Sequence, residues 1–127
     1  MSQWDQLQMD SVISQILDVQ SHEPNHHFRR PFLTPYQIAI EIEQYFPQIF
    51  ITIGKPIGGK DTGQQNSLAQ YVALELSRRI RDRSIANIEG RFLHRINLHS
   101  LKYEHNNQIV ESSLGQASDL SMFRLVD

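Results

Sequence analysis

The chain has 127 residues, 39% apolar and 20% charged, with a formal net charge of −2. That length supports one domain around one core, and the composition is that of a folded globular protein, not a disordered segment. There is no cysteine, which excludes disulfides, thiolate zinc sites and thiol catalysis.

No apolar stretch approaches the roughly 20 residues of a membrane span. The opening MSQWDQLQMD lacks the positive charge and apolar run of a secretory signal, so a cytoplasmic protein is expected. Residues 3–20 read as an amphipathic helix. Leu7, Met9, Val12, Ile13, Ile16 and Leu17 share one stripe, and Asp10, Ser14, Gln15 and Asp18 the other. SHEPNHHFRRP (21–31) follows as a polar strap with two prolines. Its His22, Glu23, His26 and His27 are residue types that hold zinc or nickel. Their spacing is irregular and Pro24 breaks any helical register, so an exposed strap is expected, with no metal.

The next helix is marked by Thr34 as N-cap, Pro35 at the first position and Gln37 completing a capping box. Its buried face is predicted to be Ile38, Ile42, Tyr45, Phe46 and Ile49, with a stop or a fresh turn at Pro47. The apolar run Ile49–Ile53 looks strand-like, and residues 54–65, with four glycines, form a loop. A third helix starts at Asn66 or Ser67 and runs to about Arg83, with Leu68, Ala69, Val72, Ala73, Leu76 and Ile80 inward. After Gly90 the period becomes two. Residues 92–99 read as a strand, with room for a bulge before Leu101 and Tyr103, His105-Asn106-Asn107 as a turn, Gln108 to Ser112 as the returning strand, and Met122 to Val126 as a closing strand.

The loop GKPIGGKD, Gly54 to Asp61, meets G-x-x-x-x-G-K-[ST] except at its last place. Asp61 replaces the hydroxyl that would ligand Mg²⁺, and a carboxylate there repels phosphates. Four residues separate Asp61 from the first good helix cap. The chain has little room for the parallel sheet of a nucleotide-binding fold. Nucleotide binding through Lys60 is therefore the poorest reading of this loop. No nucleophile elbow or oriented histidine pair is present, so no enzyme and no cofactor are expected.

Charge is segregated. Residues 1–28 hold Asp5, Asp10, Asp18 and Glu23 with no Lys or Arg, whereas residues 78–95 hold six arginines against Asp82 and Glu89. Arginine suits phosphate and guanine edges, and Gln or Asn can read adenine. The same arginines at a helix C-terminus also complement the helix dipole, and Glu75 can pair with Arg78 or Arg79.

From LTPYQIAIEIEQYFP through SLAQYVALELSRRI to RFLHRI, over about residues 33–126, the chain resembles winged helix-turn-helix domains of bacterial DNA-handling systems. The resemblance implies an α+β fold: a three-helix core plus a small antiparallel sheet, with an extra N-terminal helix. The single domain 1–127 then divides into helix and strap (1–31) and winged-helix-like core (32–127). It implies groove contacts by Gln70, Ser77, Arg78 and Arg81. Lys102, His105, Asn106 and Asn107 become wing contacts, and Lys55, Lys60 and Lys102 backbone contacts. The long connection 50–65 must then contain a further short element near Ile49–Ile53.

The expected function is a non-enzymatic DNA-binding or regulatory module. The alternative is a protein-interaction subunit of the same fold, docking through the N-terminal helix or the glycine loop. The N-terminal apolar stripe, with Trp4, packs into the core, pairs with its copy in a homodimer, or meets another protein. Arg78, Arg81 and Lys102 gathered on one open face favour DNA. An apolar patch around Trp4 and Leu74, with those arginines paired or scattered, favours a protein partner.

Overall fold

A computed structural model describes residues 2–59, 67–112 and 118–126. The chain is mixed α+β. Among the described residues, five helices, α1 (Gln3–Gln6), α2 (Met9–Ile16), α3 (Pro35–Tyr45), α4 (Pro47–Ile53) and α5 (Leu68–Arg81), precede four strands. These are β1 (Ile88–Leu93), β2 (Lys102–His105), β3 (Gln108–Glu111) and β4 (Leu120–Leu125). No helix among the described residues is long and apolar enough to cross a membrane.

The single helix expected over 3–20 is two short helices. Gln8 takes a left-handed backbone at φ 55° and breaks them apart. The break lets the Trp4 indole N–H donate to Asp10 Oδ1 at 2.6 Å. Trp4, Met9, Ile13 and Leu17 are fully buried against Ile38 and Ile42 of α3 and Leu68, Val72 and Leu76 of α5. The N-terminal apolar stripe is thus covered within its own chain, and its burial requires no second copy.

α3 starts as its sequence dictates. Thr34 Oγ1 accepts from the Gln37 amide at 3.3 Å, and Gln37 Oε1 accepts from the Thr34 amide at 2.7 Å. The expected inward face is corrected at its end, where Tyr45 is exposed. Phe46 leaves the helical region, Pro47 opens a new helix, and the axis turns before Tyr45 reaches the core. Ile49–Ile53 is helix α4, not a strand. Pro47 supplies its first position, and Gly54, at φ 71°, supplies the left-handed residue that ends it. No strand therefore leads into the glycine loop.

The strand pairing also departs from a simple hairpin of 92–99 with 108–112. β1 pairs with β4, and β2 with β3, both antiparallel. Leu33 and Phe123 exchange backbone hydrogen bonds of 2.8 and 2.9 Å, so Leu33, β4 and β1 lie side by side. β1 ends at Leu93, leaving His94 and His99 outside strands and exposed. The excursion 94–119 carries the β2–β3 hairpin. Asn106 and Asn107 both take positive φ at its tip, as a two-residue type I′ turn requires. Asp119 closes its base by accepting from the Arg95 amide at 2.9 Å.

Candidate nucleic-acid interface

The outer face of α5 comes from its own periodicity. Ser67 caps the helix by accepting from the Gln70 amide at 3.1 Å. Leu68, Ala69, Val72 and Leu76 are buried, which turns Leu74, Ser77, Arg78 and Arg81 to solvent. Leu74 is 60% exposed at the centre of that face. Gln70 is half-buried one turn before Leu74. It lines a cleft of about 340 Å³ with Tyr36, Asp119 and Ser121. Asp119 is held below the ordinary carboxylate range, first by the Arg95 backbone amide and then by the Arg95 side chain.

The arginines are partnered. Arg78 donates twice to Glu75, at 2.8 and 2.9 Å, and remains about half exposed. Arg81 donates to Asp82 at 3.1 Å and is 73% exposed. Arg79, which the expected groove contacts left out and which the sequence offered as a partner of Glu75, is the structural one. It is largely buried, bridges Glu75 at 3.1 Å and Asp5 at 3.6 Å, and lies 5.3 Å from the centroid of the Trp4 ring. Its inward position follows from its place beside Leu68, Val72 and Leu76 on the helical wheel.

The other expected contacts are dispersed. Lys55 is half-buried, its Nζ 5.9 Å from the centroid of the Tyr71 ring. Tyr71 meets Trp4 edge-on at 5.7 Å, and burial raises its phenol above the ordinary tyrosine value. Lys60 lies outside the described residues. Lys102 is exposed in a shallow groove with Gln37, Ile40 and Glu41 of α3, a groove to which no residue of the Arg78–Arg81 turn contributes. His105 is corrected as a wing contact. It is buried, and its Nε2 meets Glu43 Oε1 of α3 and Asn106 Nδ2. The hairpin is therefore fastened to α3, while Asn106 and Asn107 stay exposed at its tip.

The glycine loop has a plain structural role. The amides that open α5 are occupied: Leu68 donates to the Pro56 carbonyl at 2.7 Å and Ala69 to the Ile57 carbonyl at 2.9 Å. With Gln70 bonded to Ser67, three amides that a phosphate would need already have partners. The glycines permit close approach. A Cβ on Gly58 would lie 2.9 Å from the Ser67 Cβ, and one on Gly59 would lie 2.7 Å from the Glu111 carbonyl oxygen.

The chain matches no family profile, and no curated protein or solved structure is significantly similar to it.

Proposed function

We propose that this chain is a non-enzymatic, winged-helix-like module that binds DNA through the outer face of α5. The order α2, Leu33, α3, α5, β1, β4 supports this reading, with Leu33, β4 and β1 side by side. Packed helices against a small antiparallel sheet, the last helix open on one side, can lay that helix in a major groove. In this arrangement α2 is a core helix rather than an addition.

The observation that carries the proposal is the state of Arg78 and Arg81. Both sit on one exposed stripe with Ser77, one turn apart; Arg81 pairs with the exposed Asp82, and Arg78, itself half exposed, pairs with the largely buried Glu75. An exposed pair such as Arg81–Asp82 is worth about 0–1 kcal/mol, so a phosphate can displace it, and the half-exposed Arg78 guanidinium lies one turn away. Gln70 continues the stripe toward the N-terminus of the helix.

A second reading rests on Leu74. An exposed leucine at the centre of the stripe, flanked by arginines already neutralised by Glu75 and Asp82, also suits a protein partner.

The test is fluorescence anisotropy with a mixed-sequence DNA duplex across a salt series. Wild type is compared with Arg78→Ala/Arg81→Ala and with Leu74→Ala. Under the DNA reading the double variant binds more weakly, and its salt slope is shallower by about 1 for each lost phosphate contact. Absence of binding at low salt overturns it, and capture of a protein partner that Leu74→Ala abolishes then favours the second.

A further inference from the structure

The strap between α2 and Leu33 is built, not slack. Ser21 Oγ donates to the Glu23 carbonyl at 2.5 Å, the His26 amide to the same carbonyl at 3.2 Å, and the Arg29 amide to the His26 carbonyl at 2.9 Å. Arg30 ties the strap to Asp18 at 2.8 Å. Arg124 of β4 clamps it from below. Its guanidinium donates to the Phe28 carbonyl at 2.7 Å, the Arg30 carbonyl at 3.1 Å and Glu89 at 2.5 Å, and lies 4.4 Å from the centroid of the Phe32 ring.

This scaffold displays three rings that the core does not use. His26 and His27 stack with centroids 4.3 Å apart, and Phe28 meets both edge-on at 4.7 and 4.8 Å. Phe28 is nevertheless 74% exposed. Beside it Arg29 holds a left-handed backbone at φ 71°, a conformation unfavourable for a residue with a Cβ. The Arg29 guanidinium has no hydrogen-bond or ion-pair partner among the described residues, and Arg91 across the basin is 60% exposed while it donates to the Gly90 carbonyl and faces Glu89. The rings and cations surround an open basin of about 820 Å³, with four arginines against two glutamates.

Aromatic faces held open beside exposed guanidinium groups are the chemistry that binds unpaired bases, although Arg91 must exchange its contacts with the Gly90 carbonyl and Glu89 to reach a phosphate. The rings stack on the base while the cations meet the backbone phosphates. We infer that the strap basin binds single-stranded nucleic acid, stacking a base on the Phe28 platform with Arg29 and Arg91 on the flanking phosphates. The inference stands apart from the proposal for α5, because none of these residues belongs to that helix.

The experiment titrates a fluorescein-labelled oligothymidylate of about ten nucleotides, within the usual span of such grooves, against the full chain at low salt. The comparators are a duplex of equal length and tripolyphosphate as a base-free competitor. Phe28→Ala is expected to weaken single-strand binding roughly tenfold or more, the usual loss for one stacked base, while Phe28→Trp retains it. Arg29→Ala/Arg91→Ala is expected to make the salt dependence shallower. Because Phe28 is exposed, the variants keep the wild-type circular dichroism spectrum. The inference is overturned by any of four results: no binding at low salt, an affinity indifferent to Phe28→Ala, full displacement by tripolyphosphate at equal charge, or an acidic tyrosine peptide that binds the basin when the oligonucleotide does not.

Discussion

Glu43, near the C-terminal end of α3, grips the buried imidazole of His105, the last residue before the hairpin turn. This one contact joins elements 62 residues apart and fixes where the β2–β3 hairpin stands. Glu43→Ala leaves a buried ring nitrogen with only the longer 3.3 Å contact to Asn106. The expected loss is about 1–3 kcal/mol by urea denaturation. A cycle with His105→Ala measures the coupling, with the double variant losing less than the sum of the singles. Strict additivity shows that the pair does not hold the hairpin.

Gly59 and Gly54 separate the two uses of glycine in this loop. Gly59, at φ 114°, faces the Glu111 carbonyl so closely that a methyl group collides with backbone. Gly59→Ala is expected to cost about 2–4 kcal/mol, from backbone strain together with overpacking. Gly54, at φ 71°, has only the Ile51 carbonyl nearby, at 3.8 Å from the built Cβ. Gly54→Ala pays the left-handed penalty alone, about 1–2 kcal/mol. Thermal unfolding of both variants checks the order. Equal losses show that backbone conformation, and not contact with β3, explains Gly59.

What could be read in advance was local. Thr34 with Gln37 is a cap whose partner lies three residues away, so the chain itself names it, and Ser67 is one of the two caps, with Asn66, that the sequence offers for α5. Ile49–Ile53 misled because β-branched residues favour strands, while the Pro47 and Gly54 that bracket it set a helix. The pairing of β1 with β4 joins Ile88 to Leu125 across the whole excursion, and no short window contains that information. The strap was legible as polar and turn-rich. That Arg124 would clamp it was not, because the two segments meet only through tertiary packing. The arginine run 78–81 was visible as charge. Which of its members faces Trp4 depends on where α1 docks.

Arg79 and its neighbours should therefore part company in stability. Arg79 bridges α1 to α5 through Asp5, Glu75 and the Trp4 ring. Arg79→Ala is expected to destabilise by about 1–3 kcal/mol, through lost packing and a partly buried carboxylate left short of a partner. Arg78→Ala and Arg81→Ala are expected to stay within about 0.5 kcal/mol of wild type. Urea midpoints decide this. A large loss for Arg81→Ala refutes the assignment of that residue to the open face.

Asp119 gives the fold an acid-sensitive closure. Its carboxyl accepts from the Arg95 amide at 2.9 Å and the Arg95 guanidinium at 3.2 Å. Both lower its folded-state value below that of the unfolded chain. The stabilisation is accordingly full above the unfolded carboxylate value and is lost as pH falls through the folded one. Asp119→Asn is expected to flatten the melting temperature between about pH 5 and pH 2, the range in which a lowered carboxylate titrates. The protection factor of the Arg95 amide against hydrogen exchange should fall over the same interval in wild type. An unchanged acid limb in Asp119→Asn shows that other carboxylates govern it.

Glu75 provides the sharpest probe of the α5 face because it restrains Arg78 without facing a groove itself. It accepts both Arg78 bonds and a third from Arg79. On the DNA reading, forming a phosphate contact with Arg78 means displacing Glu75, whose negative charge also opposes the incoming phosphate. Glu75→Gln removes the charge while keeping a group that can accept from Arg79. Duplex affinity at low salt should then rise by about fivefold, the equivalent of roughly 1 kcal/mol for one like charge at contact distance in a wet interface. The gain should be smaller on the Arg78→Ala background, by the share that comes from the released guanidinium and not from the lost repulsion. A protein-binding face predicts otherwise: Glu75→Gln leaves duplex affinity at its baseline, and the sensitive residue becomes Leu74. Anisotropy titrations of wild type, Glu75→Gln, Arg78→Ala and Glu75→Gln/Arg78→Ala against one duplex separate the two outcomes.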